Sequence, residues 1–435
     1  MHLSKRAVDR ALEAVYRGAM VAGGTLAPLA EREFRMLWLG RVSSSVGDVL
    51  VPVALTFAVL GLHDSATWLG LVLASFMVSR VAFSLVGGVF ADRFSRRTVM
   101  LGCDAVRFAV EVFTAAMLFA HLMTVPIFVV TAAIFGAASA FFWPASSALV
   151  PQTVSAENLQ AANGLLGMSQ NALNVFGPVV SGAVIVATGT TAWVFTLDAV
   201  TFLFSMYFVS KLHVAGRRSD VHSHFARDLR DGFREVAERS WVSSALVAFS
   251  ITNFCLASFL VLGPKIVNDD FHGARDWGFV AGAGALGATL GGLASLRLHP
   301  RRPLMAGFSA SLLIAAPSGA LARPLPIALI AVAFALAMAA IAFCNTLWET
   351  ALQRRIPDAL LARVRSYDLL VSFVCMPVGY LAFGPLAGAV GARDTLIAAA
   401  CIMVVTNLIV TIRVRTFADG PILAGIAPPV ETSSG

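Results

Sequence analysis

Long apolar runs recur along the whole of this 435-residue sequence. A helix needs about 20 mostly apolar residues to cross the roughly 30 Å hydrocarbon layer of a membrane. Only 13% of the residues are charged, about half the share found in soluble domains. Twelve runs approach the required length, at 36–60, 68–91, 99–120, 125–150, 164–187, 193–210, 245–266, 277–296, 304–321, 327–352, 369–390 and 396–412. They predict an all-α integral membrane protein with twelve transmembrane helices.

The runs divide into two sets of six with the same plan. Three groups of landmarks recur at an offset of about 205 residues, as expected for structural repeats. They are Gly177, Pro178 and Gly182 with Gly384, Pro385 and Gly388; Pro151 with Pro357; and Gly88 and Arg93 with Gly292 and Arg297. We therefore predict two pseudo-symmetric six-helix bundles. The predicted divisions are a cytoplasmic N-terminal tail at 1–33, bundles at 34–212 and 242–414, a cytoplasmic connector at 213–241 and a C-terminal tail at 415–435.

Positive charge indicates the orientation of the chain. With both termini inside, about 25 of the 32 Lys and Arg residues fall on the cytoplasmic side, as the positive-inside rule requires. The net charge of +7 then faces anionic lipid, so membrane lipid is an expected partner and nucleic acid is not. The five cysteines lie in the runs without metal-ligand spacing, and we expect no metal, no cofactor and a monomer. The many Arg residues and few Lys residues favour a bacterial inner membrane.

A charged motif follows the second run. It comprises Gly88, Asp92, Arg93, Arg96 and Arg97 in a G-x-x-x-D-R-x-x-R-R pattern. A glycine permits close helix packing, and an acidic residue near a helix N-terminus is favourable. The arginines are predicted to pair with acidic groups or carbonyls across the interface between the halves. Together the five residues form the predicted cytoplasmic latch.

This motif resembles the signature loop of the major facilitator superfamily, and the twelve runs and repeated landmarks resemble that superfamily over almost the whole chain. Other stretches resemble the branch that includes the enterobactin exporter and macrolide efflux proteins. They are 34–40 with Gly47 and Asp48, 142–145 leading to 149–151, 162–164, and 353–357 with Arg363 and Val364. The resemblance implies a secondary active transporter that exports a small organic molecule by alternating access, coupled to proton antiport. Ser95 and Ser181 replace glycines of the family patterns.

Ionisable residues inside a span are costly and therefore mark candidate sites. Asp48 lies about twelve residues into the first run, with Ser45 and Arg41 on the same face. We predict that these three face a central cavity and that Asp48 carries the coupling proton, with Arg41 as its partner. Glu111 is the second candidate, although a structural role is favoured for it because the third span is peripheral in the superfamily. A structural role is also the alternative for Asp48.

Further cavity candidates are amides in spans that the resemblance places near the centre: Asn171, Asn174, Asn253 and Asn345. Hydrogen bonds between helices are the alternative explanation for such residues. No phosphate-binding loop or catalytic motif is present in the sequence, so neither an enzyme nor a nucleotide-driven pump is expected. A lysophospholipid transporter or scramblase, and a membrane sensor without transport, are the alternative functions.

Overall fold

The computed structural model describes residues 26–91, 95–213, 239–323 and 325–417. A short 3-10 turn, Ala27–Ala30, precedes the first long helix. The long helical segments are α1 (Arg32–Leu62), α2 (Ala66–Ala91), α3 (Arg96–Phe119), α4 (Val125–Thr153), α5 (Leu159–Thr188), α6 (Ala192–Ser210), α7 (Ser240–Asp270), α8 (Ala274–Arg297), α9 (Pro303–Ala322), α10 (Ile327–Arg355), α11 (Asp358–Val390) and α12 (Ala392–Phe417). This confirms the prediction of an all-α protein with twelve transmembrane helices.

Ten of these segments are long and apolar enough to cross a membrane along their described length. The other two are α3, which carries Asp104, Arg107 and Glu111, and α11, whose apolar part is confined to Val374–Val390. Segment α9 is not a continuous α-helix, because a 3-10 turn, Ser311–Ala315, separates its two α-helical parts. The charges of α3 are tolerated because they lie inside the first half, as described below.

The two six-helix halves, α1–α6 and α7–α12, meet through equivalent helices. Helix α2 packs against α11, and α5 packs against α8. The two contacts are equivalent because α8 occupies in the second half the place of α2 in the first, and α11 the place of α5, so a two-fold pseudo-symmetry relates them. This is the arrangement that parallel repeats about the membrane normal produce.

The halves close against each other on the side opposite the chain termini, here called the distal side. Glycines allow backbones to touch there: a side-chain methyl at Gly182 of α5 would lie 2.6 Å from the carbonyl oxygen of Ala274, and one at Gly278 of α8 would lie 2.5 Å from that of Pro178. Lys265 Nζ of α7 lies 2.9 Å from Asp64 Oδ2 in the loop between α1 and α2. These contacts join the halves at the distal ends of their helices.

On the side that carries the termini, the termini side, the halves have separate cores. One apolar cluster joins residues of both halves, among them Phe57 of α1 and Phe259 of α7. Toward the termini side there are two further clusters, one around Phe34 in the first half and one around Phe308 in the second. A cleft that opens to the termini side therefore divides the two halves.

Candidate transport site

The central cavity lies between the halves and has a volume of about 840 Å³. It extends along α8 from Trp277, near the distal end, to Leu293, near the termini side. Its first-half wall contains Asp48, Pro52 and Thr56 of α1 with Asn171 and Asn174 of α5. Its second-half wall contains Leu260, Ala281, Phe334, Met338 and Tyr380, so most of the surface is apolar. A volume of this size accommodates a drug-sized molecule.

A second cavity of about 820 Å³ lies among the helices of the second half, and we call it the C-half cavity. It shares Leu260, Phe334 and Met338 with the central cavity, so the two adjoin. Its polar lining includes Asn253, Asn345, Ser372 and Asp368, with contributions from α7, α9, α10, α11 and α12.

Arg107 is the centre of a charged network inside the first half. This α3 side chain is only 1% exposed. Its Nη1 donates to both carboxyl oxygens of Asp48 at 3.3 Å, and its Nη2 donates to Asp104 one turn earlier. Ser205 of α6 donates to the other oxygen of Asp104 at 2.6 Å. The network thus connects the cavity wall on α1 with α3 and α6.

Aromatic rings shield the Arg107 guanidinium from the hydrocarbon layer. Its central carbon lies 4.2 Å from the ring centre of Phe142 on α4 and 4.5 Å from that of Phe202 on α6. The negative faces of these rings stabilise a desolvated cation. Ring stacking and two carboxyl partners together explain how a charge is held in the interior of a membrane protein.

Two more carboxyls border this network. Glu111 of α3 and Asp198 of α6 are both buried, and Glu111 Oε2 and Asp198 Oδ2 have no hydrogen-bond partner among the described residues. Electrostatic interactions connect Glu111 with both Asp198 and Asp48. With Asp48 and Asp104, four carboxyls therefore lie around one guanidinium, and we call this group the carboxyl cluster.

Asp48 occupies the boundary between the carboxyl cluster and the central cavity. Its side chain is 24% exposed, whereas Asp104 and Arg107 are almost fully buried. It lines the cavity on one side and accepts the bonds from Arg107 on the other. Arg80 of α2, an exposed residue, also contributes to the electrostatic environment of Asp48.

The predicted pairing of Asp48 with Arg41 is wrong. Arg41 stacks over Trp143 of α4 at 4.7 Å, and Ser45 is buried and is not one of the residues that line the central cavity. Seven residues of helix separate Arg41 from Asp48 by about 10 Å, whereas α3 brings Arg107 in from the side. The position of α3 relative to α1 cannot be read from spacing within one helix.

The four amide candidates all line a cavity. Asn171 and Asn174 lie on the wall of the central cavity, and Asn253 and Asn345 lie on that of the C-half cavity. Asn253 also donates to the carbonyl of Ser372 at 2.8 Å and so links α7 to α11.

Sequence reasoning missed Asp368. It lies on the wall of the C-half cavity, where it accepts hydrogen bonds from Trp348 Nε1 at 2.8 Å and from Ser372 Oγ at 3.0 Å. The predicted eleventh run begins at 369, while α11 begins at Asp358. A charged residue at a run boundary gives no signal in a hydropathy pattern, although the serine one turn later is the kind of neighbour that satisfies a buried carboxyl.

The predicted latch is only partly described. Gly88 lies in α2, while Asp92 and Arg93 lie outside the described residues. In the part of the chain that the structure describes, Arg96 and Arg97 bond to carbonyls of their own half, whereas the prediction has them pair across the interface. Arg96 donates to the carbonyl of Ala148 at 2.7 Å.

The contacts of Arg97 explain why it bonds within its own half. It donates to the carbonyls of Val209 and Ser210, the last two residues of α6, at 3.2 and 2.5 Å. Carbonyls at a helix C-terminus lack intrahelical donors and attract cations, so they hold this arginine within its own half. Ser95, at the glycine position of the family pattern, caps α3 by accepting from the Thr98 amide at 3.2 Å.

Glu31, directly before α1, bonds to the loop between α4 and α5. It accepts from the Ser155 amide and hydroxyl at 2.8 Å each and from Asn158 at 2.9 Å. Partial burial by itself raises the pKa of this carboxyl, but the hydrogen bonds from Asn158 and Ser155 outweigh it and hold the pKa below its ordinary value.

Twelve helices in two related halves around a central cavity define a secondary transporter fold. A solved structure of a mutant of the nucleoside transporter NupG superposes with a TM-score of 0.71 at 14% identity, covering 87% of this chain and 99% of NupG. The chain belongs to the transmembrane secretion effector family of the major facilitator superfamily, whose family model matches residues 23–421. This confirms the superfamily that the sequence motifs resemble.

Two similar proteins are named for export. The multidrug efflux pump Tap of Mycobacterium tuberculosis is 25% identical over 392 residues, covering 86% of this chain and 91% of Tap. The enterobactin exporter EntS of Escherichia coli O6:K15:H31 is 26% identical over 418 residues, covering 92% and 95% of the two chains. This protein is accordingly a multi-pass membrane transporter that exports small molecules, and it is not an enzyme.

Proposed function

We propose that this transporter exports a small amphipathic organic molecule in exchange for protons, with both termini in the cytoplasm of a bacterial cell. One observation carries the proposal: Asp48 lines the central cavity and is bonded at the same time to Arg107 of the buried carboxyl cluster. A group in this position can respond to a proton and affect the cavity in the same step.

The charge balance of the carboxyl cluster supports proton exchange. One guanidinium balances a single carboxylate, and four carboxyls surround it, so the desolvated cluster favours holding protons. A proton on Asp48 weakens its attraction to Arg107. Asp104, to which Ser205 also donates, then retains the arginine.

The substrate class follows from the cavity walls. Apolar side chains make up most of the central cavity, and a few polar groups, including Asn171, Asn174 and Thr56, interrupt them. Such a surface favours molecules with a large apolar part and a few hydrogen-bonding groups. The relatives Tap and EntS are named for multidrug efflux and for enterobactin export, which supports an organic molecule as the substrate.

The orientation of the cleft is consistent with export. With the positive-inside rule placing the termini in the cytoplasm, the cleft between the halves opens to the compartment that supplies the substrate. The distal contacts, including Lys265 with Asp64, then close the outer side. Export requires these contacts to separate and the termini side to close.

Purified protein in liposomes with an imposed pH gradient tests proton exchange. We expect wild type to move an amphipathic dye against its concentration gradient when protons flow the other way, and Asp48→Asn to bind the dye but to lose the effect of the gradient. Asp394→Asn, an exposed position near the start of α12, is the matched control and should behave as wild type.

The same assay assigns the proton site within the carboxyl cluster. Gradient-driven transport that persists in Asp48→Asn and fails in Glu111→Gln would transfer the role to α3. Transport by wild type that is independent of the pH gradient would contradict proton exchange altogether.

A further inference from the structure

We infer that the C-half cavity is a binding subsite for a protonated amine, with Asp368 as the acceptor of its charge. This inference rests on the proposed export of an organic molecule and specifies the chemistry of that molecule. The site lies in the second half, away from the carboxyl cluster of the first.

Two polar side chains on one side of the C-half cavity, Asn407 and Ser311, direct their donors into the protein. Asn407 donates to Thr252 Oγ1 at 3.1 Å and to the Met403 carbonyl at 2.9 Å. Ser311, in the 3-10 turn of α9, donates to the Gly307 carbonyl at 3.1 Å. Asn407 has no further side-chain N–H, so its remaining capacity is its carbonyl oxygen. A ligand at this wall meets an acceptor.

On the side of the cavity formed by α7 and α11, side-chain donors are likewise bonded to acceptors of the protein. Asn253 donates to the Ser372 carbonyl at 2.8 Å, and the Ser372 hydroxyl donates to Asp368 at 3.0 Å. Trp348 donates its indole N–H to the other oxygen of Asp368 at 2.8 Å. These three hydrogen bonds therefore end on acceptors of the protein, while the carboxylate keeps lone pairs for a further partner.

Asp368 has neutral hydrogen-bond partners, and the nearest described cation on its helix is already paired. Arg365 forms an ion pair with Glu349 of α10 at the wall of the same cavity. Among the described residues, this half-buried carboxylate is fixed in position by an indole and a hydroxyl and has no ion pair. An ammonium group supplies both a positive charge and N–H donors for the remaining lone pairs of Asp368.

The remainder of the cavity fits an aromatic or aliphatic body. The rings of Phe249 and Trp348 pack edge to face with centres 5.4 Å apart and both line the cavity, as does Phe334 at its junction with the central cavity. The subsite therefore combines one charged contact with an apolar surface. A molecule with a single amine and a ring system matches this arrangement.

A matched pair of fluorescent probes tests the inference. Dansylcadaverine carries a primary amine on an apolar body, and its N-acetyl derivative has a similar shape without the charge. We expect the purified wild type in lipid nanodiscs to bind the amine about tenfold or more tightly than the acetyl derivative, because a hydrogen bond to a charged partner has roughly this effect. In Asp368→Asn this preference should disappear, and in Asp394→Asn it should persist.

A second variant guards against a folding failure of the first. Asn345 is an exposed residue on the wall of the C-half cavity, so Asn345→Asp adds a carboxylate without burying it. If Asp368→Asn binds neither probe, the Asn345→Asp variant is the deciding measurement. A stronger preference for the amine in Asn345→Asp than in wild type supports the subsite, and an unchanged preference overturns it. A wild type without preference, or a preference that survives in Asp368→Asn, also overturns it. Because this binding assay involves no pH gradient, failure of proton coupling leaves its result unaffected.

Discussion

Arg107 connects four helices in the interior of the first half. It bonds to Asp48 and Asp104 and stacks on Phe142 and Phe202, so α1, α3, α4 and α6 all contribute to its surroundings. The spacing of Asp104 and Arg107 on one helical face predicts their pairing within α3. The link to Asp48 could not be predicted, because it depends on how two helices are placed.

Removal of the guanidinium should destabilise the protein strongly. Arg107→Met leaves the buried Asp104 carboxylate without its cation, a change that costs roughly 3–5 kcal/mol for a buried ion pair. We expect a lower Tm for the purified protein in detergent. Adding Asp104→Asn to the same chain should restore part of the loss, because the unpaired charge is then absent.

An exposed arginine provides the comparison for this experiment. Arg275→Gln, at the start of α8, should leave Tm within the range of wild type, since exposed charges contribute little. Equal Tm values for Arg107→Met and wild type would show that the carboxyl cluster does not depend on this cation.

The close contact between helices α5 and α8 depends on small residues in both helices. Gly182 and Gly278 each face a backbone carbonyl of the other helix, which permits an approach that larger residues would prevent. The sequence predicts Gly182 and its repeat Gly388 as equivalent landmarks. The structure distinguishes them, because a side-chain methyl at Gly388 would meet nothing within 4 Å.

Gly278→Val should therefore loosen distal closure, whereas Gly388→Val should not. The added side chain collides with the Pro178 carbonyl, and overpacking of this kind costs roughly 1–3 kcal/mol. The readout is the labelling of Thr56→Cys, a position on the cavity wall, by an impermeant maleimide added on the distal side. Faster labelling with Gly278→Val is expected, and an unchanged rate would show that the α5–α8 contact does not control closure.

Helix boundaries illustrate what composition can and cannot reveal about an element. Apolar runs predict the existence of all twelve segments, because the bilayer imposes a minimum length on each. The 3-10 turn at Ser311–Ala315 has no such signal, since its residues are as apolar as those of an ordinary span. The early start of α11 is hidden by its charged residues, of which Arg365 and Asp368 line the C-half cavity.

Among the described residues, the two halves are joined by contacts toward the distal side of the molecule. A continuous apolar cluster spans both halves, and separate clusters lie in each half toward the termini. Repeated landmarks in the sequence predict the two halves and their pseudo-symmetry. They do not predict which side is closed. A repeat determines the fold of each half, whereas the tilt between the halves depends on which of two alternative interfaces is more stable.

A reversible cross-link at the distal side should stop transport. Asp64 and Lys265 belong to different halves and form an ion pair, so Asp64→Cys with Lys265→Cys places two thiols within the span of a bis-maleimide that contains a cleavable disulfide. We expect this reagent to abolish export from liposomes and reduction of its disulfide to restore export, while each variant with only one of the two substitutions remains active throughout. Export that continues after complete cross-linking would show that the halves need not separate there.

The separation of the two polar sites has an evolutionary consequence. The residues of the carboxyl cluster lie on α1, α3 and α6, and those that line the C-half cavity lie on α7 and α9–α12. Substitutions that alter which compound is recognised can accumulate in the second half of the gene without disturbing the groups proposed to use the ion gradient. A lineage exposed to a new toxin can thus acquire resistance by changing one half and inheriting the other intact.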